Sequence, residues 1–247
     1  MAALRSILFW TVAIAFTIVI AAAAVVTLPM HRDVTYRWCR FWAGAMLWLM
    51  RAICGLDYRV LGREKIPAGP AIFALKHQSA WETIAFVALA PPISGVLKRE
   101  LLVIPIYGWY LRRLGMVPID RKAAGAALRE MLRRAQDETR QGRGIMIMPE
   151  GTRLPPGRTG RYHPGVAALY TVLGLTVVPV ALNSGLFWGR RSLLLRPGTI
   201  TLQFLDPMPP GLERREFMKQ LQERIESAAE RLRREALATR EPADAPG

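Results

Sequence analysis

The 247 residues contain three histidines, His31, His77 and His163, so a general base for neutral pH has few candidates. His77 stands just past the apolar run AIFAL, in the string Lys76-His77-Gln78-Ser79-Ala80-Trp81-Glu82. A histidine at the end of a buried strand lies where open α/β sheets hold their ligands. An acid five residues on, Glu82, could orient its ring for taking a proton from a hydroxyl. On one ideal helix that spacing would turn the two side chains about 140° apart. They meet only if His77 belongs to a loop and the helix begins near Ser79, which the capping-box spacing Ser79-x-x-Glu82 supports. The same spacing has a purely structural reading, with Glu82 the partner of an N-cap serine and His77 a strand-end residue. One carboxylate is not expected to serve both the cap and the imidazole fully.

A second strand end follows the run IMIM, in Met148-Pro149-Glu150-Gly151-Thr152-Arg153. Gly151 lets the backbone approach a ligand closely, Arg153 offers a planar fork for a phosphate, and Glu150 can steer it or a neighbouring donor. Alone, this is equally a turn with a surface ion pair. A third strand end, Gly115-Met116-Val117-Pro118-Ile119-Asp120-Arg121, closes on an acid and an arginine. One strand end with a potential base and two with an arginine each would ring a phosphate beside a proton acceptor. No acidic residue occurs between Glu150 and Asp206, while Arg153, Arg158, Arg161, Arg190, Arg191 and Arg196 all fall there.

The elements that must position these residues follow from the apolar pattern. Runs at 58–61, 71–75, 93–97, 116–119, 145–148, 177–182 and 200–204 read as strands, and helical patterns fall at about 80–90, 101–114, 122–140 and 164–173. Their alternation predicts an α/β domain over 56–240, a mixed, largely parallel sheet flanked by helices. Phe217, Leu221 and Ile225 recur among charges in 213–240, a surface helix closing that domain. The Pro/Ala-rich stretch 241–247 reads as a flexible tail.

Ahead of the domain, residues 1–55 read as a membrane-embedded helical segment. Residues 7–28 carry no charge, with Arg5 before them and Pro29, His31 and Arg32 after; as a helix they span a hydrocarbon core of roughly 30 Å. The small residues at 21–24 raise the alternative of a cleaved signal peptide, but the run continues through Val25, Val26 and Leu28, longer than a typical signal core. The stretch 36–53 carries Trp38, Trp42 and Trp48 between Arg37, Arg40 and Arg51. It reads as an interfacial or re-entrant helix, with a core helix as the alternative. Arg32, Arg37 and Arg40 after the first run favour a cytoplasmic domain on the inner membrane.

Lys and Arg number 34 against 19 Asp and Glu, a net charge of +15, in a chain that is 51% hydrophobic with mean hydropathy +0.17. That composition excludes a disordered chain. The basic excess suits nucleic acid, an anionic membrane face or a phosphorylated small molecule. Arginines placed at strand ends, without an aromatic-basic stripe, speak against nucleic acid. Two cysteines, Cys39 and Cys54, build neither a disulfide framework nor a zinc cage.

Taken in order, these motifs resemble the membrane-bound glycerolipid acyltransferases, specifically the bacterial type of 1-acyl-sn-glycerol-3-phosphate acyltransferase. The family's histidine, four residues, then an acid is matched by His77 and Glu82; GMVPIDR ends in Arg121; the EGTR block is Glu150 to Arg153; and Val178-Pro179-Val180 matches its Val-Pro-Val strand. Lys98, in Lys98-Arg99-Glu100-Leu101, matches the lysine of its K-x-E-L element. The likeness covers about residues 70 to 185. Two departures stand out: the family's acid is usually aspartate, and Tyr162-His163-Pro164-Gly165 replaces an aromatic-Lys pair before a glycine.

The resemblance implies the glycerolipid acyltransferase fold and catalysis without a protein nucleophile. His77 would take the proton from the sn-2 hydroxyl of lysophosphatidic acid as that oxygen attacks an acyl thioester. Glu82 would fix the ring, and Lys98 or backbone amides would meet the oxyanion. Arg121 and Arg153 would hold the phosphate, with Glu150, Gly151 and Thr152 completing the substrate-binding block. It implies no metal and no bound cofactor; acyl-CoA or an acyl-carrier protein is the co-substrate, and an anionic membrane surface the further partner. Another lysolipid acceptor, such as a lyso-ornithine lipid, or glycerol 3-phosphate remains the alternative, as does a non-catalytic lipid-binding protein on the same fold.

Overall fold

The structure, a computed structural model, describes residues 1–120 and 124–239. Its described strands form a seven-stranded sheet in the order β1-β7-β6-β2-β5-β3-β4. These are β1 (Leu56–Leu61), β2 (Ile72–Leu75), β3 (Ile93–Lys98), β4 (Val117–Ile119), β5 (Gly144–Ile147), β6 (Val177–Leu182) and β7 (Gly198–Phe204). All neighbours are parallel except β6 and β7, so the expected mixed, largely parallel sheet is what forms.

Helices cover both faces, and the side-chain alternation of a strand decides which residues meet them. On β2, Phe73 and Leu75 point into a cluster with Trp81, Ala85 and Phe86 of α3 (Trp81–Leu89). Ile72 and Ala74 point the other way, onto Val166, Ala167 and Leu169 of α6 (Gly165–Leu173). The rings of Phe73, Phe86 and Phe204 pack with centroids 5.4–6.2 Å apart. Central β2 leads through α3 to β3 on one side, and its neighbour β5 leads through α6 to β6 on the other. That divergence is a topological switch point, where open sheets form a crevice at the strands' carboxyl ends.

The N-terminal segment is a pair of helices, α1 (Ala2–Ala24), extended by a 3-10 turn at Val25–Thr27, and α2 (Arg32–Cys54). Ala2–Thr27 is long and apolar enough to cross a membrane, with a mean hydropathy of 2.5 over its most apolar window. Leu4, Ile7, Leu8, Ile14, Ile18 and Val19 of α1 are exposed. Phe9 and Ala13 instead join the core cluster of Met46, Leu47 and Met50 from α2 and Phe73 from the sheet. The stretch expected at 36–53 is α2, with its inner face in that core and Arg37, Arg40, Phe41, Trp48 and Arg51 exposed. Its start is tied to the domain by Arg32 bonded to Glu138, and by Arg143 paired with Asp33 at 3.0 Å.

The helix expected over 101–114 is broken. A 3-10 turn at Arg99–Val103 is followed by a kink and by α4 (Tyr107–Arg113). Pro105 has no N–H for a helical bond, Ile106 sits at φ 64 in the left-handed region, and Gly108 lies so close to the Leu102 carbonyl that a Cβ would be 2.1 Å from its oxygen. The kink turns Val103, Ile104, Ile106, Tyr107 and Trp109 outward. Tyr110 secures it to α1 through a 2.7 Å bond to the Ala21 carbonyl.

The other face of the sheet is closed by α5 (Ala124–Arg140), α6 and α7 (Arg214–Ala238). Phe217, Leu221 and Ile225 of α7 are fully buried, as their spacing predicts, and Phe217 stacks on Tyr170 at 3.9 Å. The expected tail 241–247 lies outside the described residues.

Candidate active site

β2 ends at Leu75, and the chain turns at Lys76 and His77 before α3 begins at Trp81. Because His77 is in this loop and Glu82 in the first turn of α3, the two side chains meet: Nδ1 of His77 is 3.0 Å from Oε1 of Glu82. The same oxygen accepts the backbone N–H groups of Gln78 and Ser79, both at 2.7 Å. Ser79 Oγ accepts the Trp81 N–H at 3.1 Å. The cap and the imidazole were expected to compete for the carboxylate, and the structure corrects this. Glu82 folds back from the helix so that one oxygen serves both, and the extra methylene relative to aspartate supplies the reach.

The other oxygen of Glu82 accepts a 2.8 Å bond from Ser184 Oγ, just past β6. A fully buried carboxylate therefore has four donors on it. With an acceptor at Nδ1, the neutral imidazole carries its proton there, and Nε2 keeps its lone pair. The His77 side chain remains 14% exposed.

The block after β5 lies directly beneath. Gly151, at φ 62 in the left-handed region, completes a turn closed by its N–H on the Met148 carbonyl at 2.9 Å. That turn directs Glu150 inward, where it is 2% exposed. Its Oε2 accepts the backbone N–H of His77 at 2.8 Å, and its Oε1 accepts Lys76 Nζ at 2.6 Å. Burial pushes the Glu150 carboxyl up, and the neighbouring Lys76 ammonium opposes that. Leu154 N–H bonds the His77 carbonyl at 2.8 Å, so the residues around Arg153 bracket the histidine's backbone. Arg153 is half-buried, with its carbonyl 3.4 Å from the Arg190 guanidinium, and Thr152 is exposed on the rim.

The geometry thus joins His77, Glu82, Glu150 and the Gly151–Arg153 turn at one crevice. Lys98 is exposed at the end of β3, two strands from β2. Arg121 lies outside the described residues. Ser184, Lys76 and Glu226 were not anticipated. Ser184 had a signal, since it follows a strand that neighbours β2; Glu226 had none, being one acid among many charges on α7.

A buried acid orienting a histidine at a sheet's switch point defines an α/β enzyme that deprotonates a hydroxyl. Known proteins place it more closely. A family model described as acyltransferase matches residues 57–183. A 1-acyl-sn-glycerol-3-phosphate acyltransferase of Pseudomonas aeruginosa is 37% identical over 204 residues, 80% of this chain and 78% of that one. A lyso-ornithine lipid O-acyltransferase of the same organism is 27% identical over 199 residues, 73% of this chain and 76% of that one. The crystal structure of the 1-acyl-sn-glycerophosphate (LPA) acyltransferase PlsC from Thermotoga maritima superposes with a TM-score of 0.77 over 94% of this chain and 97% of that one, at 20% identity. The chain belongs to the family of 1-acyl-sn-glycerol-3-phosphate acyltransferases, and it is an O-acyltransferase.

Proposed function

We propose that the enzyme transfers an acyl chain from a thioester, acyl-CoA or acyl-carrier protein, to the sn-2 hydroxyl of 1-acyl-sn-glycerol 3-phosphate, giving phosphatidic acid. The observation that carries this reading is the 3.0 Å pair between His77 Nδ1 and Glu82 Oε1, which leaves Nε2 as the base. As the hydroxyl oxygen attacks the thioester carbonyl, its proton passes to Nε2 and Glu82 stabilises the imidazolium. The tetrahedral intermediate collapses with loss of the C–S bond, and the proton returns to the departing thiolate. Lys98 or backbone N–H groups meet the oxyanion. Arg153 and Arg121 grip the acceptor phosphate, which sets the hydroxyl in line and selects lysophosphatidate over neutral lysolipids.

α1 supplies the link to the bilayer, where the acceptor and product reside. Arg32, Arg37 and Arg40 after the span place the catalytic domain on the cytoplasmic face of the inner membrane by their charge. An acceptor of the lyso-ornithine type is the second reading, supported by the 27% identity to such an enzyme. The two are separated by assaying purified enzyme on lysophosphatidate and lyso-ornithine lipid, with acyl-CoA and acyl-carrier protein as donors. Turnover confined to lysophosphatidate, lost in His77→Ala, supports the first; preference for lyso-ornithine lipid overturns it.

A further inference from the structure

Beside the histidine lies a buried ionic cluster that the acyl-transfer chemistry does not itself use. Lys76 is 1% exposed, and its ammonium bonds Glu150 Oε1 at 2.6 Å, both carboxylate oxygens of Glu226 at 2.8 Å and the Arg158 carbonyl at 3.1 Å. Glu226 belongs to α7, and it also accepts bonds from Tyr162 Oη at 3.1 Å and Thr159 Oγ1 at 3.2 Å. The chain of contacts thus runs from the C-terminal helix, through Glu226, Lys76 and Glu150, to the backbone N–H of His77.

We propose that Glu226 and Lys76 are positioning residues for acyl transfer, holding Glu150 so that one of its oxygens is kept for the His77 backbone. The inference rests on His77 acting as the base. The division of labour at Glu150 carries it. The ammonium is drawn by Glu226 from one side and binds only Oε1 of Glu150, leaving Oε2 for the His77 N–H. Without the Glu226 charge, Lys76 moves wholly onto Glu150 and competes for Oε2. The loop at 158–162 loses its tie to α7, and the imidazole is no longer fixed against hydroxyl and thioester. Small displacements of a reacting group cost up to about 100-fold in rate.

The test compares full-length Glu226→Gln, Glu226→Asp and His77→Ala with the parent. Glu226→Gln keeps size and shape on a helix already held by Phe217, Leu221 and Ile225. The expected result is a kcat at least about ten-fold lower, with KM for acceptor and donor within about two-fold, and partial recovery in Glu226→Asp. Labelling histidine with ¹⁵N gives three backbone signals, from His31, His77 and His163, with His77 assigned by its loss in His77→Ala. Glu226→Gln should move the His77 amide and leave the other two in place. Should that variant fail to fold, Tyr162→Phe, which removes one outer donor to Glu226, must lower kcat and shift the same amide. Parental kcat with an unmoved His77 amide, or a rise in KM alone, overturns the proposal. Retained activity in His77→Ala instead overturns the reading of the base, so the two failures are distinct.

Discussion

Ser184, one residue beyond the end of its strand's asparagine, donates a 2.8 Å hydrogen bond to the Glu82 oxygen that faces away from His77. The acid is therefore held from two neighbouring strands, by amides of the loop after β2 and by a hydroxyl after β6. Ser184→Ala leaves a buried carboxylate oxygen without that donor, a loss of about 1–3 kcal/mol. Steady-state kinetics should show kcat reduced about ten-fold, and Ser184→Thr, which keeps the hydroxyl, should recover much of it. An alanine variant with parental kcat would remove Ser184 from the account.

Arg153 is expected to act on acceptor binding rather than on the chemical step. Arg153→Ala should raise KM for lysophosphatidate by about ten-fold or more, the scale of a charge-assisted bond lost, and should do little to the KM of the acyl donor. Measuring both constants in one set of assays decides the matter, since a parallel rise in both would mean that the turn after β5 has collapsed.

α1 is predicted to be more than a tether. Phe9 is 1% exposed and packed on Met46 and Met50, whereas Ile18 is 64% exposed on the outer face. Phe9→Ala should lower stability by about 3–5 kcal/mol, and Ile18→Ala should leave it nearly unchanged. Thermal unfolding in one detergent measures both. Equal, small effects would show α1 to be detachable from the core.

The helix that carries Glu226 has a pH-sensitive start. Glu213 caps α7 by accepting the N–H groups of Arg215 and Glu216 at 2.8 and 3.1 Å, which hold its carboxyl below the usual range. A carboxyl depressed in the folded state contributes stability above its unfolded value, and that contribution is lost as the pH falls through the folded one. Glu213→Ala should therefore lower Tm by about 2–4 °C near neutrality. The difference from the parent should shrink on acidification; a difference constant with pH would contradict the cap.

Much of the site was legible because its residues lie at strand ends, where apolar runs stop abruptly. AIFAL before Lys76-His77 and IMIM before Pro149-Glu150 marked two adjacent strands, and the capping spacing placed Glu82 on the next helix. The double use of Glu82 was not legible, since spacing gives direction and not which oxygen meets which donor. Glu226 was hidden because an acid between buried positions of an amphipathic helix looks like its solvated face. The break at Pro105 and Ile106 was missed because the apolar residues around it fit a helical period, yet they face outward. The antiparallel pairing of β7 with β6 depends on a connection between them whose path leaves no periodic trace.

The most direct measurement is turnover of purified His77→Ala with lysophosphatidate and an acyl thioester, beside Glu82→Gln and the parent. Loss of the base should lower kcat by about 10²–10⁴-fold, with Glu82→Gln also strongly impaired and both unfolding near the parent's temperature. A folded His77→Ala that turns over within a few-fold of the parent would contradict the account.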